Sequence, residues 1–202
     1  MESANDSFYK KYIKVFLDFI ISIISLIVFS PILLIISIAI KLDSKGPILF
    51  KQQRLGLHGK YFDIYKFRTM IVNAENIGDG LSIKNENDNR ITKVGKFLRK
   101  TSLDELPQLL NLLKMEMSLI GPRPPVVYHP YNGYKNYPDW TKKRFEARPG
   151  ITGLAQIKVR NSATWNDRIK YDNDYVENIT FINDVKIFFY TFKTILSREK
   201  IY

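Results

Sequence analysis

The sequence contains no cysteine and two histidines, His58 and His129, in 202 residues. The missing thiol excludes a disulfide scaffold, a thiolate metal site and a cysteine nucleophile. Two imidazoles exclude a histidine-rich metal centre. Acidic residues are the minority charge: 20 Asp and Glu against 31 Lys and Arg leave a net charge of +11. Such an excess predicts an anionic partner, which could be nucleic acid, an acidic membrane surface or a phosphorylated substrate. No internal repeat, heptad run or low-complexity tract is present. Hydrophobic residues at 45% and charged residues at 25% exclude wholesale disorder. The length predicts one domain with an appended segment.

The longest apolar run goes from Val15 to Ile40, interrupted by Asp18, four serines and Pro31. As one helix it would be roughly 39 Å long, enough to cross a ~30 Å hydrocarbon core. No small-residue cleavage site follows it, so it is not a cleaved signal peptide. Pro31 removes one backbone bond and crowds the carbonyl of Ile27, and Ser30 can bond back to the preceding turn. Lys10, Lys11 and Lys14 precede the run, and Lys41 and Lys45 follow it, so both ends favour the cytoplasmic side. A helix broken at Ser30-Pro31 that dips in and returns satisfies both flanks. A straight span and a buried soluble helix are the alternatives. Asp18 needs a headgroup-level setting, where an i,i+4 pair with Lys14 is expected. Residues 1–45 are thus expected to form a membrane segment with basic flanks, and residues 46–202 a globular domain, which is the candidate catalytic one if the chemistry lies there.

Gly46-Pro47 ends that segment. Ile48–Gln52 and Tyr61–Phe67 read as two strands around a turn at Leu57–Lys60, with Phe62, Ile64, Lys66 and Arg68 on one face. Asn73–Arg90 is polar, rich in Asn, Asp and Gly, and reads as a mobile loop. Helices are expected over Lys93–Lys100, Leu106–Leu119, Asp167–Glu177 and Phe181–Ser197. Tyr128–Trp140 is an aromatic loop, whose rings pack the loop, line a membrane interface or stack a base. The apolar faces at Phe97-Leu98, Leu109–Leu113 and Phe188–Leu196 either pack into the core or lie on the bilayer between flanking cations. The fold class is therefore α+β and mainly helical, with a membrane helix-break-helix, a small β-hairpin and amphipathic interfacial helices.

Chemistry concentrates at Asp104-Glu105. Ser102-Leu103-Asp104-Glu105 fits a helix capping box, although Pro107 lies one turn in. The same two carboxylates, just after Arg99 and Lys100, could be a reactive pair. Neighbouring positive charge keeps a carboxylate ionised. One acid could then attack phosphorus while the other holds Mg²⁺. Arg123 stands between prolines and Arg148 precedes Pro149-Gly150. Arg160 closes the run from Leu154. Stiffly held arginines suit a diphosphate, and each could equally be a solvated charge. His58 and His129 fall in loops and receive no role.

These segments resemble the small monotopic phosphoglycosyl transferases of the bacterial sugar transferase family. The carriers, in order, are Ser30-Pro31, Gly46-Pro47-Ile48-Leu49-Phe50-Lys51-Gln52, Tyr65-Lys66-Phe67-Arg68-Thr69-Met70, Thr101–Gln108, Met117–Pro124 and Arg148–Gln156. The resemblance implies a re-entrant membrane helix at the cytoplasmic face of the bacterial inner membrane. It implies transfer of a sugar-1-phosphate from a UDP-sugar to polyprenol (undecaprenyl) phosphate, with release of UMP. That is the first membrane step of capsule, O-antigen, exopolysaccharide or glycoprotein glycan synthesis. It also implies Asp104 as nucleophile through a covalent phosphosugar-aspartyl intermediate, and Glu105 as a Mg²⁺ ligand. Arg99, Arg123 and Arg160 match phosphate- or substrate-binding arginines of the family, and Lys66, Arg68 and Arg148 lie in its motifs. One departure stands out. Relatives often carry Asn-Gly where this chain has Lys158-Val159, and loss of that glycine changes the accessible backbone. A nucleic-acid-binding module or a membrane scaffold would account for the charge, but neither uses the acidic pair, and no nucleic-acid partner is expected.

Overall fold

The computed structural model describes residues 8–77, 88–159 and 163–196. It is mainly helical, with two small sheets. A π-helical turn, Tyr9–Ile13, runs directly into helix α1, Lys14–Asp43. Strands β1 (Leu49–Leu55) and β2 (Tyr61–Phe67) form a hairpin. Its turn closes with the Gly56 amide donating to the Lys60 carbonyl at 2.8 Å. His58 sits in that turn with a φ of 53°.

Helix α1 continues through Pro31. The prolyl nitrogen has no hydrogen for the Ile27 carbonyl four residues earlier. The Ser30 hydroxyl donates to that carbonyl instead, at 2.8 Å. The local bond expected at Ser30-Pro31 is therefore made, inside a helix that stays continuous.

Contacts divide the chain into two compact units, and the division falls within α1, the hairpin and helix α3 (Leu109–Leu113). One unit, residues Ile24–Gln52 and Ile64–Leu110, is built around Ile36 and Ile40 of α1, which pack with Phe67 and Leu98. It contains helix α2, Lys93–Thr101, whose N-cap Thr92 accepts from the Gly95 amide. Gly95 is required by close approach: a Cβ there would lie 2.0 Å from the Thr69 carbonyl oxygen. The Asp43 carboxylate accepts from the Val94 amide at 2.9 Å, tying the last turn of α1 to the first turn of α2.

The other unit comprises Met1–Ile23, Gln53–Asp63 and Asn111–Tyr202. It contains parallel strands β3 (Ser118–Ile120) and β4 (Gly150–Thr152), with Ser118 opposite Gly150 and Ile120 opposite Thr152. Helices α4 (Leu154–Lys158), α5 (Trp165–Glu177) and α6 (Phe181–Leu196) follow. The core gathers Tyr9, Ile120, Ala147, Tyr175, Val176, Ile179 and Ile187. A second cluster of Leu55, Tyr137 and Phe145 packs with Tyr131 and Tyr134, so most of the aromatic loop is packing material.

Three local expectations are corrected. The helix read over Leu106–Leu119 is a 3-10 stretch, Leu103–Gln108, then only five α-helical residues. The chain turns at Met115, with a φ of 58°, and enters β3. Ser102 is no N-cap: at a φ of 56° it ends α2, and its side chain caps nothing. The capping box lies at Thr164 and Asp167, which starts α5 two residues before the expected position. Lys14 does not pair with Asp18. Its ammonium reaches Asp184 at 2.6 Å, while Asp18 accepts from the Leu119 amide at 3.0 Å. Asp184 also accepts from the hydroxyls of Tyr9 and Tyr175, at 2.8 and 2.7 Å. The loop expected over Asn73–Arg90 falls partly outside the described residues. Its described ends meet where Arg90 pairs with Asp88 and donates to the Ala74 and Ile77 carbonyls.

Candidate active site

Asp104 and Glu105 sit in the first turn of the 3-10 stretch. Pro107 shapes that turn, because it cannot donate to an α-helical ladder. Both acids are half-buried. The Lys66 ammonium, on β2, pairs with Glu105 at 2.5 Å. Arg99, in the last turn of α2, donates from Nε to the Thr69 hydroxyl at 2.8 Å. Burial pushes the Asp104 carboxyl above its ordinary range, Glu105 adds to the rise, and the charges of Lys66 and Arg99 oppose it. Positive neighbours were expected to dominate here. They do not, because Lys100 is exposed and desolvation outweighs the remaining cations.

Arg68, from the same motif as Lys66, is held at the end of α1. Its guanidinium is buried at 5% exposure and donates to the carbonyls of Ser44, at 2.8 Å, and Lys45. These carbonyls follow the end of α1. Arg68 therefore clamps the exit of the apolar helix.

Arg123 and Arg148 belong to the other unit. Arg123 is exposed and Arg148 half-buried. Their backbones meet through glycines, since a Cβ on Gly150 would lie 2.1 Å from the Gly121 nitrogen. The Gly150 amide donates to the Pro122 carbonyl at 2.9 Å, and the Ser118 amide to the Pro149 carbonyl at 2.8 Å. Arg160 lies outside the described residues. Lys66, Arg99, Asp104 and Glu105 thus come together in one unit, and Arg123 and Arg148 in the other. Reasoning from sequence overlooked Thr69, which orients Arg99. Its signal was present, because Thr69 lies inside the quoted Tyr65–Met70 motif.

Among the described residues, no group of three or more acidic or histidine side chains forms a metal cage. A magnesium ion does not need one. It is held by one or two carboxylates together with substrate phosphates and water. The adjacent, half-buried pair Asp104 and Glu105 fits that description.

Comparison with known proteins identifies the family. The profile of the family described as Bacterial sugar transferase matches residues 9–198. An undecaprenyl-phosphate galactose phosphotransferase of Salmonella typhimurium is 40% identical over 205 residues, covering 95% of this chain and 42% of the relative. A UDP-glucose:undecaprenyl-phosphate glucose-1-phosphate transferase of Klebsiella pneumoniae is 45% identical over 188 residues, covering 90% of this chain and 40% of the relative. A protein of the same name from Caulobacter vibrioides is 39% identical over 191 residues, covering 92% of this chain and 70% of the relative. The chain spans about two fifths of the length of the first two. With nearly the whole chain matched and every motif in order, the protein belongs to the bacterial sugar transferase family.

Proposed function

We propose that this chain transfers a sugar-1-phosphate from a UDP-sugar to undecaprenyl phosphate and releases UMP. The observation that carries the reading is the half-buried Asp104-Glu105 turn, with Lys66 on Glu105 and Arg99 anchored beside it. The relatives' names supply the substrate classes.

In the proposed reaction an Asp104 oxygen attacks the sugar-bearing phosphorus. The bond from that phosphorus to the bridging oxygen breaks, and UMP leaves with the electron pair. An oxygen of the lipid phosphate then attacks the same phosphorus, and the bond to Asp104 breaks, restoring the carboxylate. Magnesium at Glu105 would neutralise charge on the diphosphate. Lys66 orients Glu105 beside the nucleophile. Arg99, oriented by Thr69, is a phosphate-binding residue in this reading, and Arg123 and Arg148 take that role by resemblance to the family. Arg68 has another role, at the end of α1.

The same proposal places the protein on one face of the bacterial inner membrane, the cytoplasmic one. Tyr9, Lys14 and Asp18 of the helix pack onto one unit, and Ile36 and Ile40 onto the other. No residue between Ser22 and Ile36 is buried. Residues 23–35 make about 20 Å of helix at 1.5 Å per residue, which is short for a ~30 Å core. The chain passes between the units inside the hairpin and inside α3, and no second helix among the described residues is long and apolar enough to cross. The lysines at both ends of the run, Lys10, Lys11 and Lys14 before it and Lys41 and Lys45 after it, support a re-entrant, monotopic insertion. Exposed Phe181, Ile182, Phe189 and Phe192 on α6, and Phe97 among exposed lysines on α2, supply interfacial helices.

The test is trapping with radiolabelled UDP-glucose and UDP-galactose in nanodiscs. A phosphosugar adduct should form on the wild type and be absent from Asp104→Asn. An adduct that persists in Asp104→Asn overturns the nucleophile. For topology, single cysteines at positions 8 and 44 should both react from the cytoplasmic side. Reaction from opposite sides would make the helix a span.

A further inference from the structure

The segment Pro122-Arg123-Pro124-Pro125 has three residues without a backbone N–H, so it cannot build a ladder of its own. All four of its carbonyls nevertheless accept a bond from elsewhere in the same unit. Pro122 takes the Gly150 amide at 2.9 Å, Pro124 takes Arg54 Nη1 at 3.0 Å, and Pro125 takes the Leu55 amide at 3.1 Å. Arg123 takes Nη2 of Arg144 at 2.7 Å. Three of these four donors are held by the hairpin or the β3–β4 contact. The fourth, Arg144, is one of the most deeply buried side chains in the protein, at 2% exposure.

Arg144 is held on two further sides. Asp172 of α5 pairs with its Nη2 at 2.7 Å, and both partners are almost fully enclosed. The Arg144 guanidinium also lies over the Trp165 ring, with Cζ 5.7 Å from the centroid. A buried ion pair rarely adds net stability over apolar packing of equal volume. Here Nε and Nη1 of Arg144 are buried without a hydrogen-bond partner, which adds a cost. Stability alone is therefore a poor reason for an arginine at this position. What its Nη2 does, and what an apolar side chain could not do, is hold the Arg123 carbonyl and the Asp172 carboxylate at once. The neighbouring Arg168 guanidinium is held below its usual pKa by burial and by the charge of Arg123.

We infer that Arg144 is a positioning residue for Arg123: anchored by Asp172, it fixes the backbone from which Arg123 reaches the donor diphosphate. The inference rests on the proposed reading of Arg123 as a phosphate ligand. It predicts an effect on the soluble donor that runs through Arg123 alone.

The test is a double-mutant cycle on the full chain in nanodiscs, with undecaprenyl phosphate and whichever of UDP-glucose and UDP-galactose is turned over. Arg123→Ala and Arg144→Lys should each raise the donor KM by about tenfold, the scale of one lost charged hydrogen bond. The lipid KM should stay within about twofold. The double variant should be no worse than Arg123→Ala, because the lost contact is shared. Asp172→Asn loosens Arg144 without changing its shape and should show the same non-additivity, which covers the case of an Arg144 variant that does not fold. Additive effects, or equal rises in both KM values, would make Arg144 merely structural and overturn the inference. An unchanged donor KM in Arg123→Ala would instead overturn the reading of Arg123 itself.

Discussion

Asp104 and Asp184 are both carboxylates withdrawn from water near a lysine, yet their surroundings differ. Asp184 is 6% exposed and takes three donors, from Tyr9, Lys14 and Tyr175. Every lone pair it needs to share is shared within the protein, and the same hydrogen-bond and charge contacts, on top of burial, push the Tyr175 phenol well above its usual range. Asp104 is half-buried, and its cationic neighbours lose to desolvation. A carboxylate wrapped in donors is a fastener. One that is partly dried, with its cationic neighbours outweighed by desolvation, suits the proposed role of nucleophile. Burial alone does not separate the two; the number of donors committed to the charge does.

Replacing each acid breaks the comparison in a different observable. Asp104→Asn should lower turnover by about 10³-fold or more, as loss of a nucleophile does. Its thermal stability should not fall. The sign follows from linkage. A carboxyl whose folded pKa lies above its unfolded one makes the ionised protein less stable at neutral pH, and an amide removes that cost. A drop in melting temperature together with lost activity would return Asp104 to the fasteners. Lys14→Met should do the reverse. It strands a buried carboxylate and should cost about 3 kcal/mol in denaturant unfolding, with the kcat of the folded fraction unchanged.

Arg68→Met should cost about 1–3 kcal/mol, because the carbonyls of Ser44 and Lys45 lose their donor. The donor KM should stay within about twofold, and a large rise would restore Arg68 to the substrate site. The smallest effect concerns pH. With Asp104 as the proposed nucleophile, only its ionised form attacks, so kcat/KM should fall on acidification through a pKa above the ordinary carboxylate range. Lys66→Met removes one of the opposing charges and should move that acid limb upward. A limb that moves downward would show that Lys66 does not act on Asp104.

The motifs were legible because they are local. Asp104-Glu105, the hairpin and the end of α5 are written in contiguous residues, and the structure keeps them there. The Leu106–Leu119 helix was misread for a physical reason. Leu109, Leu112 and Met117 are all buried, so the apolar pattern is real. The stop at Met115 carries neither glycine nor proline, and the chain turns because Glu116 and Asn111 bond across it. Lys14 misled in another way. Its i,i+4 neighbour Asp18 satisfied a short-range rule, while its true partner lies 170 residues away. The Arg144–Asp172 pair had no local signature at all. Local chemistry could be read directly, whereas partners chosen by tertiary packing could not.

The Ser30 hydroxyl has a consequence for how this chain can vary. It occupies the acceptor that Pro31 leaves bare. A carbonyl stripped of its donor is tolerable where water can reach it and costs several kcal/mol in hydrocarbon. Ser30 and Pro31 therefore form one unit of inheritance. Under the proposed insertion, losing the serine while keeping the proline passes through a protein that should resist it, whereas losing the proline first does not. The route away from this pair runs through position 31.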